Sequence, residues 1–255
     1  MKIQKAFFLI LFFSMVACKN ELPVHFSAEN FTEETFTICA TVSCPEITIN
    51  YIKASGDKDI SNKINSEIIR YVTAALYIGE DPAPASKPIK EAASNFIKVA
   101  RLHAADFPDM SAEYFAEINI SALYSSTEIV SIEMKQYSYT GGAHGNGNTF
   151  FLNINPQTGI EIPMEDLFSK RLDFTSFAES KFREANNIMA YESINSTGFW
   201  FENDRFYLPE SIGLSKTNLL LVYNQYEIAS YAGGPVALKI PLEELKEYLN
   251  FNMLL

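Results

Sequence analysis

The chain alternates between two spacings of hydrophobic residues, and each spacing predicts a different secondary structure. Residues 35–38 and 47–52 place polar and apolar side chains in turn, as half-buried β-strands do. Residues 59–77 instead carry apolar side chains three and four positions apart, which predicts an amphipathic helix. Residues 79–84 end this helix, and Pro88 begins a second helix with the same spacing.

Two long strands and a glycine-rich interruption come next. Residues 114–124 and 128–139 alternate apolar and polar positions over their whole length, which predicts a pair of β-strands. Residues 141–148 contain four glycines and break this alternation. The strand pattern returns at 149–154 and, after a turn, at 160–162.

The last third of the chain repeats this order with shorter elements. It predicts helices over 164–168, 174–188 and 241–249, and strands over 206–208, 219–223 and 236–240. Strands and helices are grouped and do not alternate strictly, which is typical of the α+β class. We therefore expect antiparallel sheets packed with helices, in two successive β/α subdomains that end in a C-terminal helix. The predicted subdomains are residues 31–155 and 156–255.

Composition and charge restrict the partners. The chain has 255 residues, of which 47% are hydrophobic, so it is long enough to bury a core and too apolar to be disordered. Its formal charge is −11. An acidic surface repels phosphate backbones and anionic headgroups, so we expect no nucleic-acid partner. A cationic protein or a neutral glycan is a better candidate.

The N-terminus predicts export and a lipid anchor. Residues 1–17 have the basic start, short apolar run and small residues of a cleaved signal peptide, and Cys18 follows directly. This placement resembles a bacterial lipoprotein signal, in which Cys18 is lipidated; the alternative is an ordinary cleaved signal with a free cysteine. We expect residues 18–30 to be a lipidated tether. Asn20 is not the usual aspartate of an inner-membrane retention signal, which favours the outer membrane and leaves open which face carries the protein.

The other two cysteines favour a small disulfide. If Cys18 carries lipid, Cys39 and Cys44 remain as a pair separated by four residues. In an oxidising envelope this pair would close a structural disulfide. A catalytic dithiol is the alternative, but it would need two intervening residues and a neighbouring βαβ pattern.

Two segments rich in tyrosine and glycine contain the candidate binding residues. They are Tyr137, Tyr139, Gly141, Gly142 and His144 in the first segment, and Tyr226 and Tyr231 in the second. Glycines 141 and 142 permit positive φ, so the strand can turn sharply there. Two interpretations of His144 stay open: it locks the loop with one hydrogen bond, or it is an exposed acid, base or ligand.

Residues 137–146, 166–168 and 223–234 together resemble a paired family of domains of unknown function. That family occurs in the extracellular part of RsiV-like lysozyme-sensing anti-sigma factors and ahead of the catalytic domain of certain peptidoglycan deacetylases. The resemblance extends over about residues 40–250 and implies a contact with lysozyme, a cationic protein. A deacetylase metal site needs spaced histidines, whereas this chain has only His25, His103 and His144. The resemblance therefore implies the exported module without either effector.

Two functional hypotheses follow. The first is a non-catalytic, lipid-anchored envelope module that binds a lysozyme-like protein or a cell-wall glycan. The second is a cell-wall or polysaccharide hydrolase that uses His144 and a nearby acid. The first is favoured by the signal, the acidic charge and the family resemblance, and by the absence of a G-x-S-x-G, Walker or H-E-x-x-H motif. We expect no catalytic residues, no metal and no cofactor.

Overall fold

The computed structural model describes residues 22–251, apart from Glu80, Pro82, Pro84 and 109–112. The predicted signal peptide and Cys18 lie outside these residues. Within them the chain forms three α-helices and two mostly antiparallel sheets, so the predicted α+β class is confirmed. No helix in this part of the chain combines the length and the apolar composition needed to cross a bilayer.

The larger sheet has six strands in chain order. They are β1 (Val24–Thr32), β2 (Glu46–Gly56), β3 (Phe115–Ser125), β4 (Val130–Tyr139), β5 (Asn146–Asn155) and β6 (Ile160–Glu161). Strands β2 and β3 are parallel, and all other neighbours are antiparallel. A parallel pair needs a long crossover, which is formed here by α1 (Lys58–Ala75) and α2 (Ile89–Asp106).

The two helices pack on one face of this sheet. Helix α1 begins after Asp57, whose Oδ1 accepts hydrogen bonds from the backbone N–H groups of Asp59 and Ile60, each at 3.0 Å. Apolar side chains of α1 and of the strands meet in a first core, which includes Ile64, Ile68, Val72, Ile47, Ile49 and Ile118. The opposite face of the sheet carries polar side chains on β2 and β3, such as Asn50 and Glu117.

The N-terminal segment differs from its prediction. Most of β1 falls within residues 18–30, which were expected to be a tether, yet the strand pairs with β2 along its whole length. Val24 is buried and most of its neighbours are exposed. An edge strand of this kind shows little alternation of apolar and polar residues, so the pattern did not reveal it.

Residues 35–38 were predicted as a strand but belong to 3-10 turns, Glu33–Thr35 and Thr37–Ala40. Cys39 and Cys44 form a disulfide within the same segment, with their Cα atoms 5.4 Å apart. The Glu33 carboxylate accepts a hydrogen bond from the backbone N–H of Ile47 at 2.8 Å. These two links hold the segment against the start of β2 in a compact form that a strand could not adopt.

The smaller sheet contains β7 (Ser211–Leu214), β8 (Asn218–Tyr223) and β9 (Val236–Pro241), all antiparallel. Helix α3 (Arg171–Ala185) packs against it, and the core between them is rich in aromatic side chains, including Phe174, Phe182, Phe201 and Tyr223. Tyr124 and Ile129, from the end of β3 and the approach to β4, also belong to this core. The first sheet therefore contributes to both hydrophobic cores.

The end of the chain is less helical than predicted. The closing segment forms only a 3-10 turn, Leu242–Glu244, and Leu249 then bridges to Phe168. Residues 206–208 are not a strand, because Pro209 lacks the N–H that a continuing strand would need. The strand in this part of the chain is β7, at residues 211–214, and the pattern did not predict it.

Strand β7 lies across β4 and β5, and polar side chains of the larger sheet satisfy its backbone. The Ser131 hydroxyl accepts a hydrogen bond from the Leu214 N–H at 2.9 Å. The Asn153 side-chain amide donates to the Ile212 carbonyl at 2.7 Å. Ser131 and Asn153 are both buried. These bonds fix the position of the smaller sheet on the larger one, because buried polar groups are costly unless they are paired.

Gly213 allows the two sheets to approach this closely. It lies between Ile212 and Leu214, and a Cβ atom built on it would overlap the ring of Phe151 on β5. Phe151 is buried, so its ring has little space to move away. We call the contact between Gly213 and Phe151, with the Ser131 and Asn153 hydrogen bonds, the sheet joint.

We expect Gly213→Ala to lower the free energy of unfolding by about 1–3 kcal/mol, because the new methyl group overpacks the joint. Urea unfolding followed by circular dichroism measures this change. Combining it with Phe151→Leu provides space, so the double variant should lose less stability than the two single changes predict together. If the stability losses of the two single variants add up in the double variant, the Phe151 ring is not the reason that position 213 needs a glycine.

Candidate functional site

The structure brings the two tyrosine–glycine segments together at one surface. Tyr137 lies on β4, His144 in the loop after β4, and Tyr226 and Tyr231 in the loop after β8. The His144 ring stacks on the Tyr231 ring, with centroids 3.6 Å apart and planes at 18°. The Tyr226 hydroxyl lies 3.1 Å from His144 Nε2. We call these four residues the tyrosine–histidine cluster.

Hydrogen bonds hold the cluster in one arrangement. The Tyr231 hydroxyl donates to the Gly145 carbonyl at 2.9 Å. The Tyr137 hydroxyl is hydrogen-bonded to Tyr231, and this bond raises the pKa of Tyr137. His144 Nδ1 lies 3.0 Å from the Gly145 carbonyl, which can only accept a hydrogen bond, so Nδ1 carries a proton. In the neutral ring, Nε2 is therefore free to accept the hydrogen bond of Tyr226.

The backbone around the cluster takes conformations that few residues adopt. Gly141 and Gly142 have φ values of 91° and 97°, as their sequence context predicted. Tyr226 is not a glycine, yet its φ is 67°. A large side chain in the left-handed region is strained, and such strain is concentrated at functional sites. The Tyr226 loop is therefore a candidate for direct contact with a ligand.

The remaining predicted residues shape the surface next to the cluster. Tyr139 donates a hydrogen bond to the Gly142 carbonyl at 2.8 Å and so closes the glycine turn. Tyr139 and Tyr137 share one face of β4, and both rings lie beside Phe115 of β3, at 6.3 and 5.7 Å between centroids. This aromatic row supports the exposed ring of Tyr137.

Sequence analysis missed two amide side chains that bind the loops together. Asn224 accepts a hydrogen bond from the Thr149 N–H at 2.7 Å and donates to the Thr149 carbonyl at 3.0 Å. The Gln225 side chain accepts from the Gly147 N–H at 3.2 Å. Both amides thus bond to the backbone of β5 as a neighbouring strand would. The only signal in the sequence is their position between the end of β8 and Tyr226.

Exposed aromatic rings and carboxylates surround the Tyr226 loop. Tyr226 is 55% exposed, and Trp200, whose backbone N–H donates to the Ile228 carbonyl, is 46% exposed. The Tyr207 hydroxyl donates to the Glu227 carbonyl at 3.2 Å. We call this surface the acidic aromatic face; it comprises Trp200, Tyr207, Tyr226, Glu202, Glu210 and Glu227.

Carboxylates on this face shift the pKa values of their neighbours. Burial raises the pKa of Glu227, and the charge of Glu210 raises it further, although a hydrogen bond from the Asn224 N–H lowers it. The pKa of Tyr207 is raised by burial and then by the charges of Glu227 and Glu202. These pKa shifts place the carboxylates of Glu202 and Glu227 near the Tyr207 ring, and the carboxylate of Glu210 near Glu227.

The ring of His144 is held between the two loops of the site. In the part of the chain that the structure describes, the hydrogen-bond partners of its ring are the Gly145 carbonyl and the Tyr226 hydroxyl, and neither is a carboxylate. The same residues contain no group of three or more side chains placed to hold a metal ion. The His144–acid pair required by the hydrolase hypothesis is not among these contacts.

Comparison with known proteins gives two family matches. Residues 38–147 match the family model described as Deacetylase PdaC, and residues 165–243 match a protein family of unknown function, DUF3298. No curated protein matches the chain.

Two crystal structures of DUF3298 family members resemble the whole fold. The protein from Bacteroides fragilis NCTC 9343 has a TM-score of 0.68 and 25% identity, and the match covers 92% of this chain and 96% of that one. The protein from Pseudomonas aeruginosa PAO1 has a TM-score of 0.58 and 20% identity, with coverage of 90% and 94%, and so shares the fold. Residues 38–147 therefore resemble a PdaC-type region and residues 165–243 resemble a DUF3298 region, in agreement with the paired family that the two tyrosine–glycine motifs indicated.

Proposed function

We propose that this chain is an exported, lipid-anchored, non-catalytic module of the bacterial cell envelope that binds a cationic protein such as lysozyme. Its export and anchoring rest on residues 1–17 and on Cys18, and the outer membrane is the proposed location. The observation that carries the binding function is the acidic aromatic face around Tyr226.

This face has the chemistry that recognises lysine and arginine side chains. Tyrosine and tryptophan are among the residues that most often supply the binding energy of protein interfaces, and the faces of their rings attract cations. The carboxylates of Glu202, Glu210 and Glu227 add a negative potential at the same place. The net charge of the whole chain is also negative. Without residues 1–17 the chain has 18 basic and 31 acidic side chains, a net charge of −13. Such a charge accelerates the approach of a cationic partner.

Glu227 supports the proposal because it occupies its position at a cost in stability. Its raised pKa means that the folded protein disfavours the ionised carboxylate. Ionisable groups in such environments occur often at functional sites, where stability is lost in exchange for activity. A cation from a partner would offset the charge of Glu210, which adds to the effect of burial on the pKa of Glu227. The resemblance to lysozyme-sensing proteins points to the same class of partner.

We expect the mature protein to bind hen egg-white lysozyme, and Tyr226→Ala to weaken that binding about tenfold, which corresponds to the loss of a central interface residue. Isothermal titration calorimetry measures the affinity. Binding should also weaken between low and physiological salt, because screening reduces the attraction of surface charges.

Tyr77→Ala is the matched control, since Tyr77 is an exposed tyrosine at the end of α1, on the helical side of the larger sheet. It should leave the lysozyme affinity unchanged. Absence of lysozyme binding would contradict the proposal. Retention on purified peptidoglycan without lysozyme binding would assign the module to a cell-wall glycan instead.

We further expect Glu227→Gln to raise the stability at neutral pH while it weakens lysozyme binding. The folded-state pKa of Glu227 is raised, so its contribution to stability is present at low pH and is lost as the pH rises through that pKa. Glutamine keeps an oxygen for the Asn224 N–H and has no charge. The gain should stay below about 1 kcal/mol, because solvent screens a half-buried group.

Urea unfolding at several pH values tests this expectation. The difference between wild type and Glu227→Gln should shrink as the pH falls into the acidic range. Glu210→Gln should also stabilise the protein at neutral pH, because it removes the charge that repels Glu227. A variant less stable than wild type at neutral pH would show that the carboxylate stabilises the fold.

A further inference from the structure

A row of asparagine side chains crosses the polar face of the larger sheet. Asn30 on β1 pairs with Asn50 on β2, and Asn50 pairs with Asn119 on β3. The next residue in the same row is Lys135 on β4. Neighbouring strands lie about 4.8 Å apart, so this row spans roughly 14 Å across the four strands.

The asparagines are linked into a ladder with one orientation. The Asn30 amide donates to Asn50 Oδ1 at 2.8 Å, and the Asn50 amide donates to Asn119 Oδ1 at 2.9 Å. The Asn119 amide in turn donates to the Glu117 carboxylate at 2.8 Å. An asparagine amide has two N–H donors and a carbonyl oxygen with two lone pairs. Each ladder member therefore keeps one N–H and part of its oxygen for a ligand, already held in place.

A groove lies at the end of this row, between the larger sheet and the loop after β8. Its volume is about 360 Å³, and it is lined by Glu117, Asn119, Lys135, Tyr137, Asn224 and Gln225, among others. Asn119 and Lys135 therefore belong both to the row and to the groove. The side-chain amides of Asn224 and Gln225 form part of the wall. We call the asparagine row and this groove together the amide track.

Tyr137 gives the groove an aromatic surface. Its ring is 41% exposed, and it packs beside Phe115 while its hydroxyl is bonded to Tyr231. A fixed, partly exposed ring next to a line of amides can pack against the C–H face of a sugar ring while the amides bond to its hydroxyl groups. Flat aromatic surfaces combined with a few convergent polar groups are typical of small-ligand sites.

The charged groups of the track are one ion pair and one carboxylate that takes part in the ladder. Lys135 forms an ion pair with Glu133 at 2.8 Å, and the Glu117 carboxylate accepts the Asn119 amide. The track therefore offers mainly neutral hydrogen-bonding groups, which favours an uncharged ligand rich in hydroxyl groups. The strand spacing is close to the length of one pyranose ring with its linkage, so successive sugars of an extended chain can face successive strands.

We propose that the amide track binds an uncharged, linear β-1,4-linked glycan that lies across the strands, with one sugar packed against Tyr137. This site is separate from the acidic aromatic face, and the proposal does not depend on the binding of a cationic protein. A module with both sites would hold a wall glycan at the amide track and a protein at the acidic aromatic face.

Titration of the mature protein with chitotetraose and cellotetraose tests the proposal, with ¹⁵N-labelled backbone amides observed by NMR. At least one tetrasaccharide should bind, with shifts concentrated on β2, β3 and β4. Maltotetraose, whose α-linkages curve the chain, should bind at least about tenfold more weakly. If neither β-linked tetrasaccharide binds at millimolar concentration, the proposal is wrong.

Asn50→Ala should weaken tetrasaccharide binding about tenfold, because Asn50 is the middle member of the ladder and its loss also frees its two neighbours. Asn62→Ala is the matched control, since Asn62 is an exposed asparagine on α1.

Tyr137→Ala provides a second test that leaves the ladder intact. Equal affinity of wild type, Asn50→Ala and Tyr137→Ala would place the sugar elsewhere and overturn the proposal. Lysozyme binding of Asn50→Ala should be unchanged, which separates this test from that of the protein partner.

Discussion

The arrangement of the whole surface depends on the contact between the backbone at Gly213 and the ring of Phe151. That contact fixes β7 on β5, and the register of the smaller sheet then determines where the next strand ends. Ser211 pairs with Val222, so β8 ends next to Thr149 of β5. Asn224, which follows β8, can then bond to both the N–H and the carbonyl of Thr149. The loop that follows must then pass over the end of β4. The tyrosine–histidine cluster forms where that loop meets the loop after β4.

Tyr137 connects the two surfaces that this arrangement creates. Its ring lines the groove on the side of the larger sheet, and its hydroxyl is bonded to Tyr231 in the loop after β8. Tyr231 in turn stacks on His144, which bonds to Tyr226 on the acidic aromatic face. A ligand that moves the Tyr137 ring would therefore disturb a chain of contacts that ends at the other surface. Two sites that share such a rigid set of contacts can influence each other's affinity, and thermodynamic linkage makes that influence equal in both directions.

Local patterns were sufficient to predict the elements that bury one whole face. Helices α1 and α2 and strands β3, β4 and β5 have long, regular apolar spacings, and the structure places them close to the predicted positions. Strand β1 escaped prediction because it lies at an edge and exposes most of its side chains. Strand β7 escaped because Gly213 is needed for a tertiary contact, and glycine weakens the local strand signal. The predicted closing helix failed for a related reason: Leu249 bridges to Phe168, and this long-range pairing overrides the helical spacing of the segment.

The candidate site shows the same division between local and long-range information. The tyrosines, the glycines and His144 are conspicuous in the sequence, but they come together only because residues of two different sheets form the sheet joint. The asparagine row is harder still to foresee, because Asn50 and Asn119 are 69 positions apart and become neighbours only through the parallel pairing of β2 with β3. That pairing requires the two-helix crossover between them. The polar face is thus a consequence of the helical one: the helices cover one side of the sheet and bring the strands into register, and the register aligns the amides on the other side.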